Sequence, residues 1–350
     1  MRVLHVDSGR EYRGGQDQVR LLARSLARTP DLEQRLVTRR GSELARRAAA
    51  AGIAVHEVPW GPGLDPRAWW RLVVAALTWP PDLVHAHNAH AVTLALWART
   101  FLHLTGTAPR VVATRRVVFP VRPRSALRRV DMIVAVSQAV RTALLAAGFP
   151  PGEIAVVYDG IDPDEVRRAA ETSLGVRSRL GLAPGTPLAV NVAVLEPAKD
   201  HVTLVRAAHV ARALRPTLHW VIAGTGPRRP ELEREIERLG MADRVHLLGY
   251  VERADALIHE SDVLVMSSKE EGLGSVVLHA LALDKPVVAT AAGGLPELVP
   301  QDCVVPIGDA EGLGRAVIRV LERPSPARLP GQFTASAMAA GVLAVYRSLL

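Results

Sequence analysis

The sequence predicts an α/β protein with two doubly wound domains, on three observations. Short β-branched apolar runs alternate with longer amphipathic ones, two such series of similar length follow one another, and a turn-rich segment, Val156 to Glu165, separates them. Strands that alternate with helices belong to parallel sheets covered on both faces. In the first series the strands are Val3 to Val6, Arg35 to Thr38, Ala54 to Val58, Asp82 to His87, Arg110 to Thr114 and Met132 to Ser137. Helical periodicity fills the gaps, as from Gln16 to Ala27. In the second series they are Leu188 to Leu195, Leu218 to Gly224, Arg244 to Gly249, Asp262 to Ser267 and Pro286 to Thr290. Asp-Gly and Asp-Pro at 159–163 signal the turn between the domains. Boundaries of 1–158 and 159–328 follow, with 329–350 carrying a last amphipathic helix from Phe333. A cleft between two such domains is the expected architecture, with ligands at the carboxyl ends of strands.

The loops after the strands therefore hold the candidate chemistry. Glu270 to Gly274 lies between a strand and a helix from Ser275 to Leu283. The amides of Gly272, Leu273, Gly274 and Ser275 are then the open donors of a helix start, suited to a phosphate. Ser275, His279 and Ala282 share one stripe of that helix, so Glu271 and His279 can flank one ligand. A dipole-favoured carboxylate and a satisfied core histidine are the alternative.

Lys199 follows the first strand of the second series and is the sole lysine before Lys269 in an arginine-rich chain. A compact ammonium there fits a diphosphate, against the alternative of a surface lysine at a helix start. The segment Ile222 to Glu233 has Gly224 and Gly226 but Arg229 where a dinucleotide fingerprint requires its third glycine. Hydride transfer is disfavoured, while a tight turn able to hold a base or phosphate remains. In the first series Gly14 and Gly15 open a helix as another anion nest.

His85 and His87 point the same way in one strand, with His90 in the next helix. No HExxH or cysteine cluster supports a metal, and none is expected. Asp162 and Asp164 read as a solvated turn. Trp60, Trp69, Trp70 and Trp79 surround one short helix, either as an interfacial anchor or packed on the sheet.

Composition is that of a folded protein, 49% hydrophobic and 22% charged. The single cysteine, Cys303, fits a reducing compartment and excludes an internal disulfide. The apolar run behind Met1 stops at Asp7 and reads as a strand, not a signal peptide. No segment approaches the ~18 apolar residues a spanning helix requires. Residues 1–160 carry 22 Arg and no Lys against 12 acids, whereas the whole chain is only +8. Either the first half meets something anionic, or arginines decorate solvated helices.

Together the loops resemble family 4 of the GT-B glycosyltransferases along nearly the whole chain. The stretch from Glu271 to Gly294 resembles that family's signature of two glutamates with seven residues between them, then a strand and Gly-Gly. Val192 to Lys199 is similar to its phosphate loop, Gly224 to Pro227 to its base-side loop, Asp82 to Asn88 to its histidine strand and Tyr158 to Asp162 to its interdomain junction. Phe333, Met338 and Tyr346 resemble its final helix, which returns to the first domain.

The resemblance implies a retaining, metal-independent transferase with a nucleotide-diphospho-sugar donor in the second domain and an acceptor in the first. Lys199 would neutralise the diphosphate. Glu271 would lie beside the sugar, with Gly272, Leu273, Gly274, Ser275 and Val276 around it and His279 on the ribose. Gly224, Gly226 and Tyr250 would lie on the base side. His87 would approach the sugar from the acceptor side, and Gly14 and Gly15 would meet the distal phosphate when the cleft closes. Arg13, Arg115 and Arg116 would face the acceptor.

The second signature glutamate is His279 here, and Val194 stands where the phosphate loop usually carries an arginine. The partners expected are a saccharide or lipid-linked acceptor of the cell envelope and an anionic membrane surface, with no nucleic acid and no cofactor beyond the nucleotide sugar. A cytoplasmic protein, peripheral on the inner face of the membrane, is the expected setting. A non-catalytic nucleotide-sugar binder and a nucleotide-sugar epimerase are the alternatives.

Overall fold

The computed structural model describes residues 1–350 with 62–64, 107 and 324–326 excepted. The chain packs as two units, Met1–Gly160 together with Gly331–Leu350, and Ile161–Pro330.

The first unit holds β1 (Arg2–Asp7), β2 (Glu33–Arg39), β3 (Val55–Val58), β4 (Leu83–Ala86), β5 (Arg110–Arg115), β6 (Met132–Ala135) and β7 (Ile154–Val156). They form one parallel sheet in the order β3-β2-β1-β4-β5-β6-β7. The second unit holds β8 (Leu188–Val192), β9 (His219–Ala223), β10 (Val245–Gly249), β11 (Val263–Met266), β12 (Val287–Thr290) and β13 (Val304–Val305). Its sheet is also parallel, in the order β10-β9-β8-β11-β12-β13. Strands β7 and β13 were not expected from the sequence. Three and two residues are too few for an apolar run to stand out from its surroundings.

The central strands are buried along nearly their whole length: every residue of β4, β9, β11 and β12 is buried. Helix starts are set by side-chain caps. Asn88, Ser137 and Thr334 each accept a hydrogen bond from the amide three residues on, which satisfies a donor the helix cannot. The first helix begins at Gly14, two residues before the periodic pattern does. Asp162 caps the helix Pro163–Ala170 by accepting from the amides of Asp164 and Glu165.

The last helix, Ala335–Leu349, packs on the helix Gly14–Leu26. Its Tyr346 is fully buried, with the hydroxyl 2.5 Å from Nδ1 of His85. The strand order reverses between β1 and β4 in one sheet and between β8 and β11 in the other. Adjacent loops diverge at such points and leave a crevice at the strands' carboxyl ends.

Candidate active site

In the second unit the loops after β8 and β11 are joined to each other through their backbones. The carbonyl of Ala198 accepts from the amides of Lys269 (2.8 Å) and Glu270 (3.3 Å), and Ser267 Oγ donates to the carbonyl of Lys199 at 2.9 Å. This junction brings Lys199 Nζ to 2.5 Å from Oε2 of Glu271. Both side chains are largely shielded, at 20% and 13% exposure, and Ser268 Oγ donates to the same carboxylate oxygen at 3.2 Å. The two residues the sequence placed in separate loops thus form one ion pair at the switch point of the sheet.

The Glu271 loop is held from its other side by β12. Thr290 Oγ1 donates to the carbonyl of Ser268 at 2.6 Å. Gly293 adopts φ +52°, and a Cβ there would lie 1.7 Å from the carbonyl oxygen of Glu271. Only glycine satisfies both conditions. Gly293→Ala is therefore expected to push Glu271 away from Lys199 and to lower stability by about 2–3 kcal/mol, read as a lower urea midpoint.

Gly272, Leu273 and Gly274 are buried, and Gly274 (φ +96°) leads into the helix Ser275–Ala282, with Ser275 and Val276 half-buried at its start. His279 lies one turn in, and its Nδ1 is 2.7 Å from Oδ1 of Asp255 on the helix Ala254–Glu260. Sequence reasoning did not find this carboxylate. Gly224 and Gly226 lie beneath the β8 loop: a Cβ on Gly224 would come within 1.8 Å of the Ala193 carbonyl. Their smallness is required by loop packing before any ligand is considered. Tyr250 is 73% exposed just beyond β10. Val194 is half-buried; the amide of Arg228, from the loop after β9, reaches the carbonyl of the next residue, Leu195, at 3.1 Å.

Three further residues complete this region, none singled out by the sequence. Asn191 donates to the Val265 carbonyl (2.8 Å) and its oxygen faces His201 Nε2 (3.1 Å), so that nitrogen carries the proton. Burial, aided by the charge of Lys199, lowers the His201 pKa to about 4. Asp200 binds both Thr203 Oγ1 (2.7 Å) and Lys269 Nζ (3.2 Å).

In the first unit the switch point gathers histidines. His5 Nδ1 is 3.0 Å from His87 Nε2, and His85 Nε2 is 2.7 Å from Thr114 Oγ1. The imidazole that joins His85 and His87 is His5, not His90, which lies beside Trp60. Residues His5 and His85 are register partners on β1 and β4, a pairing invisible until the strand order is known. Burial, then mutual repulsion and Arg116, holds His85 and His87 well below the usual imidazole range; burial takes His5 to about 4. Their ring nitrogens lie within 4.8 Å of one another, the closest approach to a metal-binding constellation among the described residues. His5 Nδ1 and His87 Nε2 face each other, and the two nitrogens of His85 are taken by Tyr346 and Thr114, whereas His5 Nε2 is buried without a partner among the described residues.

His87 Nδ1 and Asn88 Nδ2 are buried with no partner, at the carboxyl end of β4. Gly14 and Gly15 form the first turn of the neighbouring helix, behind Arg13, which pairs with Glu11 at 2.7 Å. The arginines expected to face an acceptor are engaged within the unit. Arg115 donates to the Phe119 carbonyl, and Arg116 Nε is 3.1 Å and 3.2 Å from the two oxygens of Asp159. Burial raises the Asp159 pKa, while Arg116 opposes the rise.

The description "Glycosyltransferase Family 4" matches residues 12–165, and "Glycosyl transferases group 1" matches 176–335. The chain belongs to glycosyltransferase family 4. This glycosyltransferase is 29% identical over 293 residues to the 2-deoxystreptamine glucosyltransferase of Streptomyces kanamyceticus, covering 74% of each chain. It is 30% identical to a GDP-mannose-dependent α-(1-6)-phosphatidylinositol monomannoside mannosyltransferase of Mycolicibacterium smegmatis, covering 66% of this chain and 67% of the relative. The fold is GT-B. Anabaena Alr3699/HepE, solved in complex with UDP and glucose, superposes with a TM-score of 0.83 at 20% identity over 99% of this chain and 100% of that one.

Proposed function

We propose that this glycosyltransferase moves a sugar from a nucleotide-diphospho-sugar to a saccharide or lipid-linked acceptor of the cell envelope, with retention and without a metal. The observation that carries the reading is the Lys199–Glu271 pair, 2.5 Å apart at the β8/β11 switch point. Breaking the bond between sugar and diphosphate builds negative charge on the leaving phosphate. A fixed ammonium and the amides that open the helix Ser275–Ala282 answer that charge. Glu271 pairs with Lys199, so a diphosphate would compete for the ammonium and free the carboxylate for the sugar.

The leaving phosphate takes the acceptor's proton, so no separate base is required. His279, oriented by Asp255, is assigned to the ribose. The base side is assigned to Gly224, Gly226 and Tyr250. The first unit is assigned the acceptor. The unpartnered His87 Nδ1 and Asn88 Nδ2 support a polyhydroxyl ligand at its switch point, because buried polar atoms without partners are costly.

A second reading, a binder that does not turn over, is favoured by one observation: an apolar Val194 in the loop that supplies Lys199. Thermal-shift titration tests both. Uridine or guanosine diphosphates at a hundredfold excess over Kd are expected to stabilise the second unit by about 2.7 kcal/mol. Lys199→Ala is expected to abolish the shift. No shift with any nucleotide overturns both readings; a shift without product across acceptors selects the binder.

A further inference from the structure

Between Asp65 and Asp131 the chain carries ten arginines and a single acid, Asp82. The helices Pro66–Thr78 and Ala89–His103 lie in this stretch and pack on each other. Each has an outward apolar stripe. Trp70 and Leu77 are exposed on one, with half-buried Val74 between them at helical spacing. On the other, Trp97 is exposed, and Leu104 follows just past the helix end.

Trp70 and Trp97 are 49% and 47% exposed, and Leu104 82%. The rings of Trp69 and Trp70 stand edge-on to Phe101 at 5.9 Å and 6.1 Å, so the aromatic group is internally braced. A groove of about 570 Å³ runs among Pro66, Trp69, Trp97, Thr100, Phe101 and Arg129.

Exposed Arg67, Arg71 and Arg129 flank this surface. The acids at the two ends of the stretch are already occupied: Asp65 accepts from the Gly61 and Arg67 amides and pairs with the Arg67 guanidinium at 3.3 Å, which leaves Arg71 and Arg129 as the cations with no acid on them among the described residues, and Asp131 pairs with Arg99 at 2.6 Å and Arg110 at 3.1 Å. We infer that this face docks the first unit on an anionic lipid surface. Indoles and leucines at headgroup depth with guanidinium groups beside them match the two demands of such an interface. A second copy of the chain would set like charges against each other. Thr100, the indole N–H groups and the guanidinium groups apart, the patch offers few directional hydrogen-bonding groups, and indole N–H groups suit the headgroup region of a fluid surface. No residue of the patch has been assigned to sugar transfer, so the inference goes beyond the proposed reaction and stands or falls separately.

Co-sedimentation of the full chain with phosphatidylglycerol-containing and pure phosphatidylcholine vesicles, at low and high salt, tests it. The chain is expected to pellet with the anionic vesicles, and Trp70→Ser with Trp97→Ser to lower the partition coefficient about tenfold or more. Arg67→Gln with Arg71→Gln and Arg129→Gln is expected to remove the preference for anionic lipid. The substituted residues are exposed, and an unchanged thermal midpoint certifies the fold. A blue shift of tryptophan emission on adding vesicles, lost in the tryptophan variant, gives an independent readout. Failure to pellet, or pelleting unchanged in both variants, overturns the inference. So does a dimer in sedimentation velocity that Trp97→Ser dissolves, because a second copy would then cover the patch.

Discussion

Lys199→Ala is expected to lower sugar transfer by about 10²- to 10³-fold, some 3–4 kcal/mol of transition-state stabilisation. The ammonium sits 2.5 Å from Glu271 in a partly shielded site, where no other lysine or arginine is seen on the Glu271 carboxylate among the described residues. Its removal strips the leaving diphosphate of a fixed cation and leaves Glu271 without its counter-ion. Transfer and donor affinity should therefore fall together, because the diphosphate is charged in both ground and transition states. Lys199→Arg restores charge without the compact geometry and should recover binding more than turnover. Unimpaired transfer in Lys199→Ala, with an unchanged donor KM, would remove the residue from the site.

Acidification is expected to unfold the first unit well before carboxylate titration alone would do so. His5, His85 and His87 all have folded values below the ~6.5 of an unfolded chain. Above that value both states are neutral and the cluster contributes no pH dependence. Below it the unfolded chain takes up protons that the folded one refuses, so stability falls as pH falls. The loss continues down to the folded values, about 4 for His5. Each residue costs about 1.4 kcal/mol at pH ~5.5, or roughly 4 kcal/mol for the three, a large part of a domain's stability. Urea titrations at about pH 7.5 and pH 5.5, followed by tryptophan emission, measure it. Five of the six tryptophans lie in the first unit. A midpoint that does not move would mean that the cluster accepts protons in place.

The fold was legible because parallel strands buried on both faces are written as apolar runs. Strands β1 and β8, with the loops that follow them, could be placed from Val3 to Val6 and Leu188 to Leu195 alone. Lys199 and Glu271 were legible as loop residues for the same reason, and Lys199 also for its rarity. Their contact was not, since 72 positions separate them and strand order brings β8 beside β11. The partners of the histidines show the same limit. His279 reads from sequence as facing a ligand beside Glu271, yet Asp255 holds its Nδ1 from a helix 24 positions away. His85 meets Tyr346 from the far end of the chain. The arginines show it too: Arg115 and Arg116 read as a basic loop, and only the structure shows that one donates to the Phe119 carbonyl and the other to the buried carboxylate of Asp159.

The hydroxyl of Tyr346 on His85 spans 261 positions. The first unit begins with Met1 and yet closes its core with Gly331–Leu350, whereas Ile161–Pro330 is one uninterrupted run. On a ribosome, the second unit has all of its residues before the first has received its last helix. Of the two units, the one begun earlier is therefore the one completed later. Throughout elongation the helix Gly14–Leu26 waits with the surface that Ala335–Leu349 will cover still open to chaperones.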